Sequence, residues 1–333
     1  MRRLVLVGLL LALGGCGGGE ASSDNGVEQV PAEGGLRDQI RSAQAVEASD
    51  FPDAGGRTLQ AVADEIRGGG SVEVGLATSV FTVGRGRLAF GVIDDQGQFV
   101  YGPTAVYIAP TPESPAQGPF AAPADVLVTE ARYRSRQAAE ETDPFAAVYQ
   151  AQVPFRRKGK QSLLVVTRRG SSYVAAPAEI TVRTKQADPI PDVGEAAPEV
   201  ETDTLESVKG NRDLLDTRTP PSEMHERSFD EVVGSKPVAL LFATPQLCQS
   251  RVCGPVTDVA LQLQAEYGDR VEFIHQEVYV DNDPNAGLRE PLAAFRLPSE
   301  PWLFVVDERG RITSRLEGSF GLAAFESALK TAL

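Results

Sequence analysis

Residues 238–255 read Val-Ala-Leu-Leu-Phe-Ala-Thr-Pro-Gln-Leu-Cys-Gln-Ser-Arg-Val-Cys-Gly-Pro, and this stretch decides the architecture of the C-terminal third of the chain. Val238 to Ala243 is an unbroken apolar run, as a strand buried on both faces requires. Cys248 and Cys253 follow it. From Gly254 to Tyr267 the residues Val256, Val259, Leu261, Leu263 and Tyr267 fall in a broadly helical pattern. A cysteine pair between a buried strand and a helix start is a chemically loaded place. Unpaired N–H groups and the positive end of the helix dipole stabilise a thiolate there. The thiolate is the species that attacks disulfides. Arg251 adds positive charge to the same loop, and a mixed disulfide formed on one sulfur could be resolved by the other.

Downstream the pattern stays α/β. Val271 to Val280 predicts a second strand, Gly287 to Phe295 a second helix, and Trp302 to Val306 a third strand. Asp307 to Gly310 turns into a fourth strand, Arg311 to Leu316. Phe320 to Leu333 closes the chain as a helix with Phe325, Leu329 and Leu333 on one stripe.

Strand, cysteine pair, helix, strand, helix, proline-led strand, hairpin and final helix is an order that resembles thioredoxin. Cys253-Gly254-Pro255 with the helix through Glu266-Tyr267 resembles the thioredoxin active-site helix. Ser299-Glu300-Pro301-Trp302-Leu303-Phe304 resembles the segment carrying that family's cis-proline. Val193-Gly194-Glu195-Ala196-Ala197-Pro198 resembles the V-G-x-x-A-P motif of membrane-anchored thioredoxin-like reductases and peroxiredoxins. The resemblance spans residues 194–333. It implies a thioredoxin-like α/β domain in which Cys248 is the nucleophile and Cys253 the resolving thiol. It also implies a substrate groove shaped by Pro301 with Glu300, and Trp302 either lines that groove or packs in the core. A protein dithiol or disulfide substrate and an unidentified electron donor are the implied partners. No cofactor and no metal site are expected.

The departures carry weight. The family's pair is C-x-x-C, whereas this one is C-x4-C. Leu241 stands where thioredoxins hold a buried proton-shuttling aspartate. Glu300 would set a carboxylate near the sulfurs and disfavour the thiolate. Three other readings of the pair stay open. A structural Cys248–Cys253 disulfide would make the domain a non-enzymatic binding platform. A peroxiredoxin-like peroxidase is suggested by Thr244-Pro245 ahead of Cys248, although residues 299–302 lack the arginine such enzymes use. A Sco-type copper carrier would use two thiolates for Cu(I), with His275 as the candidate third ligand. Outside such a role His275 reads as a structural histidine and His225 as an exposed one. Asp281, Asn282, Asp283 and Asn285 read as a solvated loop.

At the N-terminus, Arg2 and Arg3 precede an apolar run from Leu4 to Leu13, and Gly14-Gly15-Cys16 follows. This is the pattern of a secretory signal. The run falls short of the roughly 20 residues that span a bilayer. Leu13-Gly14-Gly15-Cys16 resembles the bacterial lipobox, which implies removal of residues 1–15 and acylation of Cys16. That places the protein on the extracytoplasmic face of a bacterial membrane, held by its lipid.

Between anchor and thioredoxin-like domain the chain divides into four stretches. Residues 16–57 read as a flexible tether. Residues 58–70 read as a short helix, with Leu59, Val62 and Ile66 on one face, ending in a glycine linker. Residues 71–183 carry short β-branched and aromatic runs split by turns such as Asp95-Gln96-Gly97. They predict a β-sandwich loosely resembling immunoglobulin-like modules of bacterial envelope proteins. Residues 184–222 read as a Pro-rich acidic linker, leaving 223–333 for the last domain.

Composition sets outer limits. The 333 residues are 42% apolar and 23% charged, which is globular and neither fibrous nor wholly disordered. A net charge of −14 argues against a nucleic-acid partner. With three Cys and two His, neither a zinc cluster nor a disulfide-dense scaffold is expected.

Overall fold

The structure is a computed structural model, and it describes residues 26–66, 70–140, 145–248 and 251–333. The expected signal segment and lipid-bearing Cys16 lie outside the described residues.

Two sheets form the N-terminal module. Its strands are β1 (Val72–Leu76), β2 (Phe81–Thr82), β3 (Gly84–Asp94), β4 (Thr104–Ala109), β5 (Gln117–Ala121), β6 (Ala124–Val126), β7 (Ala147–Phe155), β8 (Gly159–Arg169) and β9 (Ser172–Arg183). One sheet has the order β1-β3-β7-β6, the other β2-β9-β8-β4-β5. Alternation along each strand sends Leu88, Phe90 and Val92 of β3 into one core with Val106 and Ile108 of β4 and Leu163 and Val165 of β8. The other face of the second sheet exposes Ala105, Tyr107, Leu164 and Val166 to a separate small core. A helix with Leu59 and Val62 covers it. Thr58 caps that helix, its hydroxyl accepting from the Ala61 amide at 3.1 Å.

The expected tether is corrected over its second half. Leu36–Gln44 forms helix α1, and the covering helix Leu59–Glu65 is α2. Val27, Val30, Ile40 and Ala43 are buried in the sandwich core, and Arg37 donates to the Val30 carbonyl at 2.8 Å. These apolar residues are too sparse to outweigh the surrounding Gly and Glu in a composition reading, yet each finds a site on the sandwich. A short helix α3 spans Arg136–Glu140.

The C-terminal domain is a four-stranded sheet of β10 (Val238–Phe242), β11 (Glu272–Gln276), β12 (Trp302–Val306) and β13 (Ile312–Glu317) in the order β11-β10-β12-β13. β10 and β11 run parallel, while β12 is antiparallel to both β10 and β13. Its helices are α4 (Phe229–Val232), α5 (Cys253–Tyr267), α6 (Glu290–Phe295) and α7 (Leu322–Leu329). Period two divides the sheet. Leu240, Phe242, Phe304 and Val306 pack with Phe295 of α6 on one face. Ala239, Leu241, Leu303 and Val305 pack with Val256 and Val259 of α5 and Phe325 of α7 on the other. The closing helix is shorter than its pattern, and Leu333 is exposed.

Residues 184–222 are not a free linker. Ile190, Ala197, Val200 and Leu215 are buried, and Arg315 of β13 binds Asp188 at 2.6 Å and the carbonyls of Ile190 and Pro191 at 3.1 Å. The prolines prevent regular structure, but they leave the apolar side chains free to pack. The segment is a strap laid on the domain.

The two modules share a core. Ala89, Leu127 and Val148 of the sandwich belong to the same apolar cluster as α5 and α7. Polar contacts fix the angle between them. The buried Asp125 carboxylate of β6 accepts from the amides of Gly321, Ala323 and Ala324 at 2.7, 2.9 and 3.2 Å, capping α7 from the other module. Burial pushes the Asp125 pKa up, against the pull of these amides and Arg87. Burial likewise lowers the Arg87 guanidinium to about 10, opposed by Asp125 and Glu317. Arg87 donates to the Glu317 carbonyl at 2.9 Å, and the Glu317 carboxylate accepts from the amides of Ser79 and Val80 at 2.8 and 3.0 Å. Gly318 has φ +74°, and any Cβ there would lie 1.6 Å from the Ala77 carbonyl oxygen. Only glycine permits this approach.

Asp125→Ala leaves three amides, one buried and two part-buried, without an acceptor and should cost on the order of 2–3 kcal/mol. Denaturant unfolding of the full chain checks it. The account expects one cooperative transition moved to lower denaturant; two separate transitions in the parent protein would contradict a shared core.

Candidate functional site

The C-terminal end of β10 delivers the chain into a tight turn. The Cys248 amide donates to the Thr244 carbonyl at 3.1 Å, and the Arg251 amide to the Cys248 carbonyl at 3.2 Å. Arg251 takes up φ +60°, and Cys253 is the first residue of α5. The two inserted residues therefore separate two properties that a shorter motif would combine. Cys253 holds the helix N-terminus but is 0% exposed, whereas Cys248 is 8% exposed and lies five residues ahead of the helix. Both side chains are thiols, so the expected disulfide is not formed in this structure. They are in hydrogen-bond contact with each other.

The electrostatics oppose ionisation of Cys253. Burial pushes its pKa well up, the hydrogen bond and charge of Cys248 add to that, and so does Glu300; a hydrogen bond from the Thr244 backbone works the other way. Glu300 precedes Pro301 through a cis peptide bond. Its own pKa is raised, first by burial and then by Cys248. Glu300 is thus coupled electrostatically to both sulfurs. Tyr279, three residues past β11, also belongs here. Burial raises its phenol pKa, followed by Glu300, Cys248 and Cys253. Nothing in its sequence context marks Tyr279, which lies in a turn beyond a strand whose end the pattern overshoots.

Trp302 is corrected. Its side chain is buried on the sheet face opposite the cysteines, stacked on Phe304 at 5.9 Å, with Nε1–H donated to Ser299 at 3.2 Å. Period two makes this unavoidable once Leu303 and Val305 face α5. Leu241 occupies the cysteine side of β10 and has no carboxylate to offer.

A cleft of about 470 Å³ lies between the modules beside the cysteine turn. Leu76, Phe99 and Phe145 of the sandwich form one wall, with Arg251, Pro255 and Glu300 opposite. The sequence treated the β module as a separate body; the structure makes it half of this cleft. Arg156, Arg157, Lys158 and Lys160 are exposed at the β7–β8 hairpin and do not line it.

Both histidines are buried. His275 sits on β11, and its Nε2 lies 3.0 Å from the Ala243 carbonyl oxygen. His225, expected to be exposed, packs beside it with ring centroids 5.1 Å apart. The strap folds over the end of the sheet and carries His225 inward. In the 281–285 loop, Asn282 donates to the Asp213 carbonyl at 2.7 Å and Asn285 to Asp283 at 2.9 Å, so its polar groups bind the chain itself.

No protein-family model matches the sequence, and no curated protein matches it. Solved structures of thioredoxin-like proteins are similar to part of the chain. One, described as a thiol:disulfide interchange protein DsbE from Chlorobium tepidum, has 17% identity and a TM-score of 0.31, covering 43% of this chain and 98% of its own. Another, a thioredoxin-like superfamily protein, has 13% identity and a TM-score of 0.30, covering 41% and 96%. An endo-β-1,4-mannanase from Thermotoga petrophila matches at 8% identity and a TM-score of 0.20, covering 36% of this chain and 21% of that one.

Glu300 disfavours thiolate at the pair, so Glu300→Gln should move the pH midpoint of Cys248 alkylation downward, by roughly half a unit to one unit. Rates of iodoacetamide labelling across pH read this directly. An unchanged profile would show that the carboxylate does not reach the sulfur.

Proposed function

We propose that this chain is a lipid-anchored extracytoplasmic thiol–disulfide oxidoreductase working through Cys248 and Cys253. The observation that carries the reading is two thiols in hydrogen-bond contact just past β10, Cys253 fully buried and Cys248 buried but 8% accessible. Cys248 as thiolate attacks a substrate disulfide, forms a mixed disulfide and releases one substrate thiolate. Cys253 then gives up its proton, displaces the second substrate sulfur and leaves a Cys248–Cys253 disulfide. Two electrons pass to the substrate, and a dithiol donor must return them. The raised pKa of Cys253 suits a resolving thiol that stays protonated until the mixed disulfide forms.

The mixed apolar and charged walls of the cleft favour an unfolded or extended polypeptide as substrate, with Leu76, Phe99 and Phe145 taking apolar side chains. The β module fits an immunoglobulin-like sandwich. Lettered A, A′, B, C, C′, D, E, F and G in chain order, its sheets read ABED and A′GFCC′. The anchor rests on the residues from Arg2 to Cys16. Cys16→Ser should release the protein from the membrane fraction; continued membrane attachment would remove the lipid from the account.

Trapping tests the activity. The full chain with Cys253→Ser, incubated with a disulfide-bonded peptide, should accumulate a mixed disulfide at Cys248 detectable by mass. Cys248→Ser should accumulate none. Failure of Cys253→Ser to trap any peptide, with Cys248 unreactive toward alkylation, would overturn the reading in favour of a structural pair.

A further inference from the structure

Asp216, His225 and His275 form a buried cluster outside the wall of the cleft. Asp216 and His225 come from the strap and its end, and His275 from β11, where it pairs with Leu241 of β10. One carboxylate oxygen, Asp216 Oδ2, lies 3.4 Å from His225 Nε2 and 3.4 Å from His275 Nδ1. One ligand atom from each residue falls within 4.8 Å of the other two. For bonds of 2.0–2.1 Å around a tetrahedral ion, neighbouring ligand atoms stand roughly 3.3 Å apart.

The hydrogen bonds around the cluster orient it for a cation. His275 Nε2 faces only the Ala243 carbonyl, an acceptor, and so carries the ring proton. Nδ1 then faces the Asp216 carboxylate oxygen across 3.4 Å, a gap that a ring proton or a bound cation can occupy. Among the described residues this Nδ1 has no hydrogen-bond partner, although the side chain is fully buried. A carbonyl holding the outer nitrogen of a histidine is the usual support for a metal ligand. Asp216 is positioned too: the Arg218 amide donates to Oδ1 at 2.8 Å and the Ser222 amide to Oδ2 at 2.7 Å. The Ser222 hydroxyl lies 3.2 Å from His225 Nε2. Glu277, also buried, adds a second carboxylate, held by the Thr217 amide and hydroxyl at 2.8 and 2.6 Å. Two buried carboxylates beside two imidazoles make a site whose charge a dication would balance.

We propose that Asp216, His225 and His275 bind one divalent transition-metal ion of the Zn²⁺ class, with a water or the Ser222 hydroxyl completing four ligands. Two imidazoles and a carboxylate suit Zn²⁺. The set contains no sulfur, so it is separate from the redox pair and from a thiolate copper site. Its role is to pin the strap to the sheet edge, where the strap has no strand of its own. Metal binding is then linked to folding of the 216–225 segment.

The full chain carrying Cys248→Ser and Cys253→Ser, dialysed against Zn²⁺, should retain one equivalent and melt at higher temperature as free Zn²⁺ rises. Adding His225→Gln should lower Zn²⁺ affinity at least about tenfold. Substoichiometric Zn²⁺ in the doubly substituted chain, or unchanged affinity with His225→Gln, would overturn the site. If that variant fails to fold, Co²⁺ loaded into the chain with both cysteines intact decides. Visible d–d absorption without a thiolate charge-transfer band supports the site; a thiolate band overturns it.

Discussion

The carboxylate of Asp125 sits away from water at the first turn of a helix that belongs to the other module, and the geometry of the molecule hangs on it. A helix presents unsatisfied amides at its N-terminus, and those of α7 are satisfied by a strand some two hundred residues earlier in the chain. Gly321 lets the backbone close to contact distance around that carboxylate, and Gly318 does the same against Ala77. Arg87 and Glu317 repeat the exchange a few residues away, each module supplying what the other lacks. Buried donors and acceptors at this density tolerate one relative orientation, because any rotation would strand several of them.

That orientation gives the cysteine turn its surroundings. With the sandwich locked against α5 and α7, the β1–β3 side of the sandwich stands across from Arg251 and Glu300, and the cleft between the modules borders the cysteine turn at Arg251 and Val252. A second buried pair reinforces the arrangement: Asp258 of α5 binds Arg218 of the strap at 2.8 Å and accepts from the Ser135 amide of the sandwich at 2.9 Å. The sulfurs meet an acidic neighbourhood there, with Glu300 and Tyr279 both within electrostatic reach. The site is therefore built to restrain thiolate formation, which fits an exchange catalyst whose reactivity depends on a bound substrate.

The C-terminal architecture is legible because β10 and β12 are both continuous apolar runs, as strands buried on two faces require, and the strand period of two then fixes which face each residue takes. The cysteine turn was legible as a motif. The separation of exposure from helix position was not, since it depends on how four intervening residues turn. The choice between core and groove for Trp302 is decided by alternation along β12, which sends its side chain to the far side. His225 and Asp216 were missed because the strap carrying them has no periodicity, and only tertiary packing brings them to His275. The packed half of the expected tether escaped notice for a related reason: Val30 and Ile40 are isolated apolar residues, and their burial depends on a sheet more than forty positions away.

The central claim is that the Cys248–Cys253 pair exchanges electrons and does not merely staple a loop. Equilibration of the full chain with dithiothreitol redox buffers, followed by mass analysis of trapped thiols, measures its reduction potential. The account predicts a value above about −300 mV, within reach of biological dithiols. A value below that, or a pair that stays oxidised under native reducing conditions, would contradict it.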